Sequence, residues 1–193
     1  MMPYDDPSRD EDARLLAAYA AGDANAARAL IEAHSPGVLR LARRALGDQT
    51  EAEDVTQEAM LRLWKIAPEW RSGEARVSTW LYRVATNLCT DRLRKRKYSS
   101  DAEVPEVEDG KPSAVSQLED AERTSALDKA LNSLPDNQRI AVTLRHLEER
   151  SNPDIAKIMA ITVEAVESLI ARGKRGLKQR LADKSASLGY KDD

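Results

Sequence analysis

The sequence predicts an all-α fold with two small helical domains joined by a flexible acidic linker. Its 193 residues suffice for two domains of roughly 80 residues each. Phe is absent and aromatic residues make up 4% of the chain, whereas Ala, Leu, Arg and Glu are abundant. These abundant residues all have high helix propensity. Because strand signals are nearly absent, we expect every regular element to be a helix.

The first domain is expected over residues 12–97, after a polar, frayed N-terminal stretch over residues 1–11. Its first part has helical periodicity up to residue 67, with interruptions where glycine or proline is expected to break a helix. The three predicted breaks are Gly22-Asp23, Ser35-Pro36-Gly37 and Gly47-Asp48. We therefore expect several short helices in this part of the chain.

A capping box is expected to open the next helix, with Thr50 as N-cap and Glu53 at the third helical position. The helix should run to Ile66, because Pro68 follows. Its outer face carries one apolar residue, Leu61, among polar neighbours, as is common for an anchor in a protein interface. The polar members of this face are Asp54, Gln57, Glu58, Arg62 and Lys65.

A loop over residues 69–77 precedes a basic amphipathic helix that we expect Ser78 or Thr79 to cap. Its apolar stripe consists of Leu81, Val84, Ala85, Leu88 and Leu93, with Cys89 beside it. Its opposite face carries Arg83, Asn87, Thr90, Arg94 and Lys97. Such a face could follow a polyanion, with its cations on phosphates and its amide and hydroxyl groups on bases. A solvated charged face is the alternative.

Charge is segregated along the chain. The net charge of −3 argues by itself against a free-standing nucleic-acid binder. However, Arg92–Lys97 holds five basic residues in six, and Arg172–Lys184 holds six against one acid. Residues 99–122, between them, hold eight acids against one lysine. The two basic patches indicate DNA as one partner, while the acidic surfaces could meet a basic protein.

The acidic linker is expected over residues 98–120, because prolines and a glycine occur there with dense acids and few apolar anchors. The second domain is expected over residues 121–184. A flexible C-terminal tail is expected over residues 185–193.

The second domain contains a helix-turn-helix pattern. After a helix over residues 137–146, a short helix is expected with Asn152 as N-cap and Pro153 first. The chain turns at Ala160-Ile161, and Thr162 caps a long helix whose N-terminal turns would enter the major groove. The inner stripe of this helix is Val163, Val166, Ile170, Gly173, Leu177 and Leu181; its opposite face is Glu164, Ser168, Arg172, Arg175 and Gln179. A plain helical hairpin is the alternative.

No motif for catalysis is present. His34 and His146 have no metal-ligand spacing, and the chain has no glycine-rich phosphate loop or nucleophile motif. We therefore expect no enzyme activity, cofactor, metal or small-molecule substrate. Cys89 is interpreted as a buried structural thiol. Apolar runs stay below the ~18 to 20 residues of a membrane span and the N-terminus is unlike a signal peptide, which predicts a cytoplasmic protein without direct membrane insertion.

A helix-turn-helix repressor or activator with a ligand-binding N-terminal domain is the main alternative. It would be expected to bind palindromic sites as a dimer. It would leave the outer face of residues 51–66 and the basic helix at residues 83–97 without a role.

Two sets of motifs together resemble the extracytoplasmic function sigma factors, the small two-domain class of the sigma-70 family. Residues 12–97 resemble the sigma-2 domain, and residues 122–181 resemble the sigma-4 domain. The first set is Glu53-Asp54-Val55-Thr56-Gln57-Glu58, Leu63-Trp64 and Ser78-Thr79-Trp80-Leu81-Tyr82-Arg83-Val84-Ala85-Thr86-Asn87. The second set is Leu134-Pro135-Asp136-Asn137-Gln138-Arg139, Asp154-Ile155-Ala156 and residues 163–175.

The resemblance implies three groups of site residues. Those that would dock on core RNA polymerase are Asp54, Gln57, Glu58, Leu61 and Arg62. Those that would bind the −10 element are Arg71, Ser72, Gly73 and Arg76, in a loop that captures a flipped base, and Arg83, Asn87, Thr90, Arg94 and Lys97 beside it. Those that would bind the −35 element are Thr162, Glu164, Ala165, Ser168, Arg172, Lys174 and Arg175.

The same resemblance implies an alternative sigma factor, with a role in transcription initiation and stress response. Its partners would be the clamp helices and flap of core RNA polymerase, promoter DNA, and an anti-sigma factor that could hold the protein at the membrane. The acidic linker would run toward the RNA exit channel as a mimic of single-stranded nucleic acid.

The chain departs from the family pattern in two respects. The family often has Gly-Thr-Val-Lys-Ser-Arg in the recognition helix, where this chain has residues 164–169, Glu-Ala-Val-Glu-Ser-Leu. Phosphate affinity must then come from residues further along, and Glu164 could either accept from a cytosine amino group or cap the helix. The absence of Phe predicts weak DNA melting and a need for near-consensus promoters.

Overall fold

A computed structural model describes residues 7–71, 73, 75–99 and 126–187, and all regular structure within those ranges is helical. The predicted acidic linker lies almost wholly outside the described residues. The helices are α1 (Pro7–Ala20), α2 (Ala24–Leu46), α3 (Gln49–Ile66), a short 3-10 helix (Ala67–Glu69), α4 (Val77–Ser99), α5 (described over residues 126–132), α6 (Asp136–His146), α7 (Asn152–Met159) and α8 (Val163–Ser187). None of the helices in the described ranges is long and apolar enough to cross a bilayer.

Helices α1 to α4 pack around one apolar core, because each contributes one face of leucine, valine and alanine side chains. Fully buried members from four helices are Leu16, Leu30, Leu41, Val55, Leu63 and Leu81. On the edge of this core, the rings of Trp70 and Trp80 meet edge to face at a centroid distance of 6.1 Å. The expected all-α bundle is thus confirmed for the first domain.

The predicted helix break at Ser35-Pro36-Gly37 is wrong, because α2 continues through it. Proline removes one backbone hydrogen bond, but Pro36 lies on the exposed side of α2, where water can satisfy the carbonyl that is left without a donor. Gly37, on the buried side, faces the hydroxyl of Tyr82. The glycine serves close packing here and does not end the helix. The other two predicted breaks are confirmed at Gly22-Asp23 and Gly47-Asp48.

Helix starts differ from the expected caps by one to three residues. Asp48, and not Thr50, caps α3, since its carboxylate accepts from the Glu51 backbone N–H at 2.8 Å. Ser151, and not Asn152, caps α7, since its hydroxyl accepts from the Asp154 N–H at 3.2 Å. Each side chain that caps lies where the backbone is still extended, as an N-cap requires.

Two further starts lie earlier than expected. Helix α4 begins at Val77, because the Trp80 N–H already bonds to the Arg76 carbonyl at 3.0 Å, so neither Ser78 nor Thr79 caps it. Helix α1 begins at Pro7, inside the stretch expected to be frayed. Proline suits the first helical position, where its missing N–H costs no hydrogen bond.

Helix α4 lies across the bundle with Cys89 on its buried stripe, not beside it. Two residues of its basic run bind backbone carbonyls at the ends of neighbouring helices. Arg92 donates to the Glu51 carbonyl, and Arg96 donates to the Leu46 carbonyl at 2.8 Å. Cations are favourable at a helix C-terminus such as that of α2. These two arginines therefore join helices. Arg94 and Lys97 of the same basic run belong to the predicted DNA-facing set, and both are exposed.

Helices α5 to α8 form the second domain, and α7 and α8 are the predicted helix-turn-helix. Ala160 turns the chain in the left-handed conformation at φ 54°, and the Thr162 hydroxyl accepts from the Ala165 N–H at 3.2 Å, which confirms the turn and the cap. Helix α8 crosses α6 closely at Gly173, where an added Cβ would clash with Val142. The two domains touch, with α6 and α7 against α2 and α4.

Candidate protein and nucleic-acid interfaces

An apolar groove of about 340 Å³ lies on the outer face of α3. Its mouth is formed by Leu61 of α3 and Ile31 of α2, which are 47% and 42% exposed, and its floor includes Leu39, Met60 and Trp64. Exposed apolar side chains that line a shared groove are typical of a protein interface. Leu61 was predicted from the sequence but Ile31 was not, although Ile31 lies off the apolar stripe of α2 and could have been recognised by that position.

Polar side chains surround Leu61 on the outer face of α3. Asp54 and Gln57 are exposed, and Glu58 accepts from Arg62 one turn later at 2.8 Å. This hydrogen bond lowers the pKa of Glu58, so the carboxylate is ionised at neutral pH. The structure thus brings all five predicted polymerase-binding residues to one face of α3.

The predicted DNA-facing side of α4 is a row of side chains at helical spacing. Arg83, Asn87 and Arg94 are exposed. Thr90 is half-buried and donates to the Thr86 carbonyl at 2.8 Å, so its hydroxyl hydrogen is already used. Lys97 is exposed but contacts Asp136 of α6 at 2.6 Å.

The loop before α4 borders a small pocket of about 220 Å³, which Trp70 and Trp80 line on one side. Arg71 and Ala75 of the loop lie at its edge, and Gly73 takes φ 96°, which favours glycine. Ser72 lies outside the described residues. The indole N–H of Trp70 is buried and has no hydrogen-bond partner. From the sequence, these tryptophans were expected to lie mostly in the core, because no spacing rule predicts that they border a pocket.

The N-terminal turns of α8 expose Thr162, Glu164 and Ser168, whereas Ala165 is half-buried. Hydrogen bonds from its own backbone N–H and from Thr162 lower the pKa of Glu164. Further along, Arg172 is exposed and donates to the Ser168 carbonyl at 3.2 Å.

A basic groove of about 580 Å³ flanks α8. Lys174 and Arg175 of α8 line it together with Arg145 and His146 at the end of α6. Burial lowers the pKa of His146, and the positive charges of Lys174 and Arg145 lower it further. Arg145 and His146 were not predicted from the sequence, because nothing in their local pattern shows that the end of α6 reaches α8.

No group of three or more His, Cys, Asp or Glu side chains in the described part of the chain could hold a metal ion. The fold therefore presents surfaces: one apolar groove, one row of polar and basic side chains on α4, and a helix-turn-helix. A helical bundle coupled to a helix-turn-helix defines the class of two-domain DNA-binding proteins.

The family follows from comparison with known proteins. Residues 30–98 match sigma-70 region 2, and residues 124–177 match sigma-70 region 4. The chain is 34% identical over 175 residues to the ECF RNA polymerase sigma factor SigW of Bacillus subtilis, covering 84% of this chain and 92% of SigW. It is 36% identical over 170 residues to the ECF RNA polymerase sigma factor SigM of Mycobacterium tuberculosis, covering 88% and 84%.

Solved structures agree on the fold. The structure of CnrH in complex with the cytosolic domain of CnrY matches 90% of this chain and 99% of that one, with a TM-score of 0.68 and 24% identity. The sigma factor RpoE in complex with the anti-sigma factor NepR, from Bartonella quintana, matches 80% and 96%, with a TM-score of 0.65 and 21% identity.

The chain therefore belongs to the extracytoplasmic function sigma factors of the sigma-70 family. It is an alternative sigma factor, which acts with RNA polymerase in transcription initiation and is not an enzyme. A simple repressor or activator is excluded, because region 2 accounts for the first domain that such a regulator leaves without a role.

Proposed function

We propose that the apolar groove between α2 and α3 is where this sigma factor docks on core RNA polymerase, against the clamp helices of the largest subunit. The observation that carries this proposal is Leu61, an apolar side chain 47% exposed beside Ile31 on an otherwise polar helix face. A partner helix would bury the exposed part of both side chains, and each would contribute about 1 kcal/mol, roughly half of the value for burying a fully exposed leucine or isoleucine. The polar residues of the same helix face would set the register of the partner, and they are Asp54, Gln57, Glu58 and Arg62.

The −10 element is assigned to the pocket before α4 and to the exposed row on α4. A base extruded from the duplex needs an aromatic pocket with a hydrogen-bond donor, and Trp70 offers both a ring and an unpartnered indole N–H. Arg71, Ser72, Gly73 and Arg76 belong to the loop that would enclose the base. Arg83, Asn87, Thr90, Arg94 and Lys97 would follow the DNA beside it.

The −35 element is assigned to α8. Ser168 and Arg172 are exposed on the same face, one turn apart, where a recognition helix contacts base edges. Thr162, Glu164 and Ala165 shape the N-terminal turn, and Lys174 and Arg175 line the basic groove. A phosphate strand in that groove would also meet Arg145 and His146.

Control by an anti-sigma factor is part of this proposal, and so is contact of the second domain with the polymerase flap. The support is that the fold of this chain resembles those of CnrH and RpoE, which were solved bound to CnrY and NepR. Such a regulator could also hold the protein at the membrane.

The polymerase-docking assignment is tested by a pull-down with core polymerase. Leu61→Arg should abolish holoenzyme formation, because it places a charge in the apolar groove. Asp54→Lys should do the same, because it reverses a charge on the same face of α3. The matched control is Glu11→Lys, the same charge reversal at an exposed acid on α1. Circular dichroism checks that all variants fold. Normal core binding by both groove variants would disprove the assignment.

A further inference from the structure

We propose that this chain has a closed, self-inhibited state, in which Glu148 in the turn between α6 and α7 locks the second domain onto the first. The inference rests on the sigma-factor function, because only a protein that must bind two separated promoter elements is inhibited by closure. It concerns an interface within the chain.

Glu148 is an acid of the second domain whose side chain is 2% exposed. Its carboxylate accepts from Arg40 of α2 at 3.1 and 2.9 Å, and from the hydroxyl of Tyr82 of α4 at 2.8 Å. Arg44 of α2 lies 3.9 Å from it. All these donors come from the first domain. In the closed arrangement this buried carboxylate therefore obtains its side-chain hydrogen bonds from the other domain. In an open arrangement water would have to replace these donors.

Buried apolar side chains of α6 and α7 share one core with those of the first domain. The other ion pairs between the two domains have the same polarity as the contacts of Glu148. Lys97 of α4 pairs with Asp136 of α6 at 2.6 Å, and Arg44 lies 3.8 Å from Asp128 of α5. In each pair the base belongs to the first domain and the acid to the second. Opposite potentials on two facing surfaces favour docking of those surfaces. The interface is therefore electrostatically complementary over three separate contacts.

Aromatic packing adds to this lock. The guanidinium of Arg150 in the second domain lies 4.3 Å from the ring centroid of Tyr82. Burial raises the pKa of Tyr82, so the hydroxyl keeps the proton that it donates to Glu148. Tyr82 is thus held on its ring face by Arg150 and at its hydroxyl by Glu148.

Closure is incompatible with promoter recognition. The roughly 25 base pairs between the centres of the −10 and −35 elements span ~85 Å at about 3.4 Å per base pair. A domain of roughly 100 residues has a radius of gyration near ~13 Å, so two domains in direct contact cannot reach both elements. Lys97, which is proposed to bind DNA, is also occupied by Asp136 in the closed state. Promoter binding therefore requires that the Glu148 contacts break.

The test measures the distance between domains in the full-length chain, free in solution. Spin labels are placed on cysteines introduced at Arg28 in α2 and Lys157 in α7, both exposed. Cys89 is buried, with a pKa raised to about 12, so it should remain unlabelled. Double electron–electron resonance then measures the distance between the labels in the parent, in Glu148→Lys, and in Glu149→Lys. The last variant is the neighbouring control with the same change in charge.

We expect one short distance in the parent and in Glu149→Lys, and a shift to longer distances in Glu148→Lys. Raising the salt concentration should shift the parent the same way, because Arg40 is half-exposed and its attraction to Glu148 is partly screened. A parent with the same long distances as Glu148→Lys would overturn the closed state, and an equal shift in Glu149→Lys would overturn the role of Glu148.

A charge exchange keeps the proposal testable if Glu148→Lys does not fold. Arg40→Glu should also open the chain, because it places two carboxylates opposite each other. The double variant Arg40→Glu with Glu148→Arg restores an ion pair and should close the chain again. Failure of the pair to close would count against the lock. Run-off transcription with core polymerase separates this result from the sigma function, because the open variants should still initiate. A parent that transcribes normally but shows no closed state would reject the lock alone.

Discussion

The hydroxyl of Tyr82 lies so close to Gly37 that no side chain fits at that position of α2. A Cβ on Gly37 would clash with this hydroxyl and would lie 3.3 Å from the Glu148 carboxylate. The glycine is therefore required by a contact between α2 and α4 that also holds Glu148. Neither its place inside a helix nor its proximity to Pro36 accounts for it.

Gly37→Ala should destabilise the protein despite the better helix propensity of alanine, which favours the helix by about 1 kcal/mol. Tyr82 is 3% exposed, so its ring has little room to move. Overpacking of this kind costs about 1 to 3 kcal/mol. Urea unfolding should then give a net loss for Gly37→Ala.

The clash is checked by a double-mutant cycle with Tyr82→Phe, which removes the hydroxyl. Tyr82→Phe alone should cost about 1 kcal/mol, because Glu148 loses a donor. The double variant should be more stable than the sum of the two single losses predicts. Strictly additive losses would show that the hydroxyl does not restrict Gly37.

The cap of α3 gives a second stability prediction. Asp48→Ala should lower the free energy of unfolding by about 1 kcal/mol, because the Glu51 N–H loses its acceptor. Thr50→Ala should change it by less than about 0.5 kcal/mol, since Thr50 is exposed inside the first turn. Equal losses in thermal or urea unfolding would contradict the assignment of Asp48 as the cap.

Most of this fold could be predicted from the sequence, but the contacts between distant segments could not. Helical periodicity predicted the bundle, the helix-turn-helix and the exposed Leu61, because each depends on residues within a few turns of one another. It misjudged Pro36 and Thr50, where the outcome depends on which side of a helix is solvated or on which of two nearby side chains caps it. The local pattern around each residue is compatible with the predicted role as well as with the observed one.

The candidate surfaces divide in the same way. Residues of one helix face, such as Asp54 and Leu61, were found from spacing alone. Ile31, Trp70 and Arg145 were missed, because each reaches its groove from a different element. The Glu148 contacts could not be foreseen, since Arg40 is 108 residues away in the chain and no periodicity links them.

Cys89 should behave as an inert thiol. Burial raises its pKa to about 12, so the folded protein contains almost no thiolate at pH 8, and thiolate is the reactive form. A thiol reagent should then modify Cys89 only after unfolding, whereas a cysteine introduced at exposed Ala17 should react at once. Rapid reaction of the native parent would contradict the burial of Cys89.

The same shift predicts a pH dependence of stability. The unfolded chain loses the Cys89 proton near its usual pKa, and the folded chain retains it up to about 12. Between those values the folded state binds more protons, so stability falls as pH rises. Cys89→Ala should remove this part of the alkaline slope, which urea titrations at a series of pH values would measure.

Arg172→Ala should weaken binding to the −35 element without affecting assembly with core polymerase. The side chain is exposed on α8, and losing a phosphate or base contact should cost about 1 to 3 kcal/mol in DNA affinity. Arg28→Ala is the matched control, since Arg28 is 80% exposed on α2, far along the chain from α8. An unchanged footprint at −35 would exclude Arg172 from the interface.

Asn87 and Arg94 should differ in kind, although both are exposed on the same side of α4. Arg94→Ala should weaken binding to all promoters equally, because a phosphate contact carries no sequence information. It should also reduce the slope of log affinity against log salt concentration by about one. Asn87→Ala should instead reduce the preference for the consensus −10 element, by about 1 to 3 kcal/mol if the amide reads a base. Asp91→Ala controls for the exposed pair between Asp91 and Arg94, which is worth little by itself.

Holoenzyme binding to consensus and altered −10 sequences, measured over a range of salt concentrations, distinguishes the effects of Asn87→Ala and Arg94→Ala. Unchanged discrimination in Asn87→Ala would assign sequence selection to the loop before α4, with the helix serving only to position the DNA.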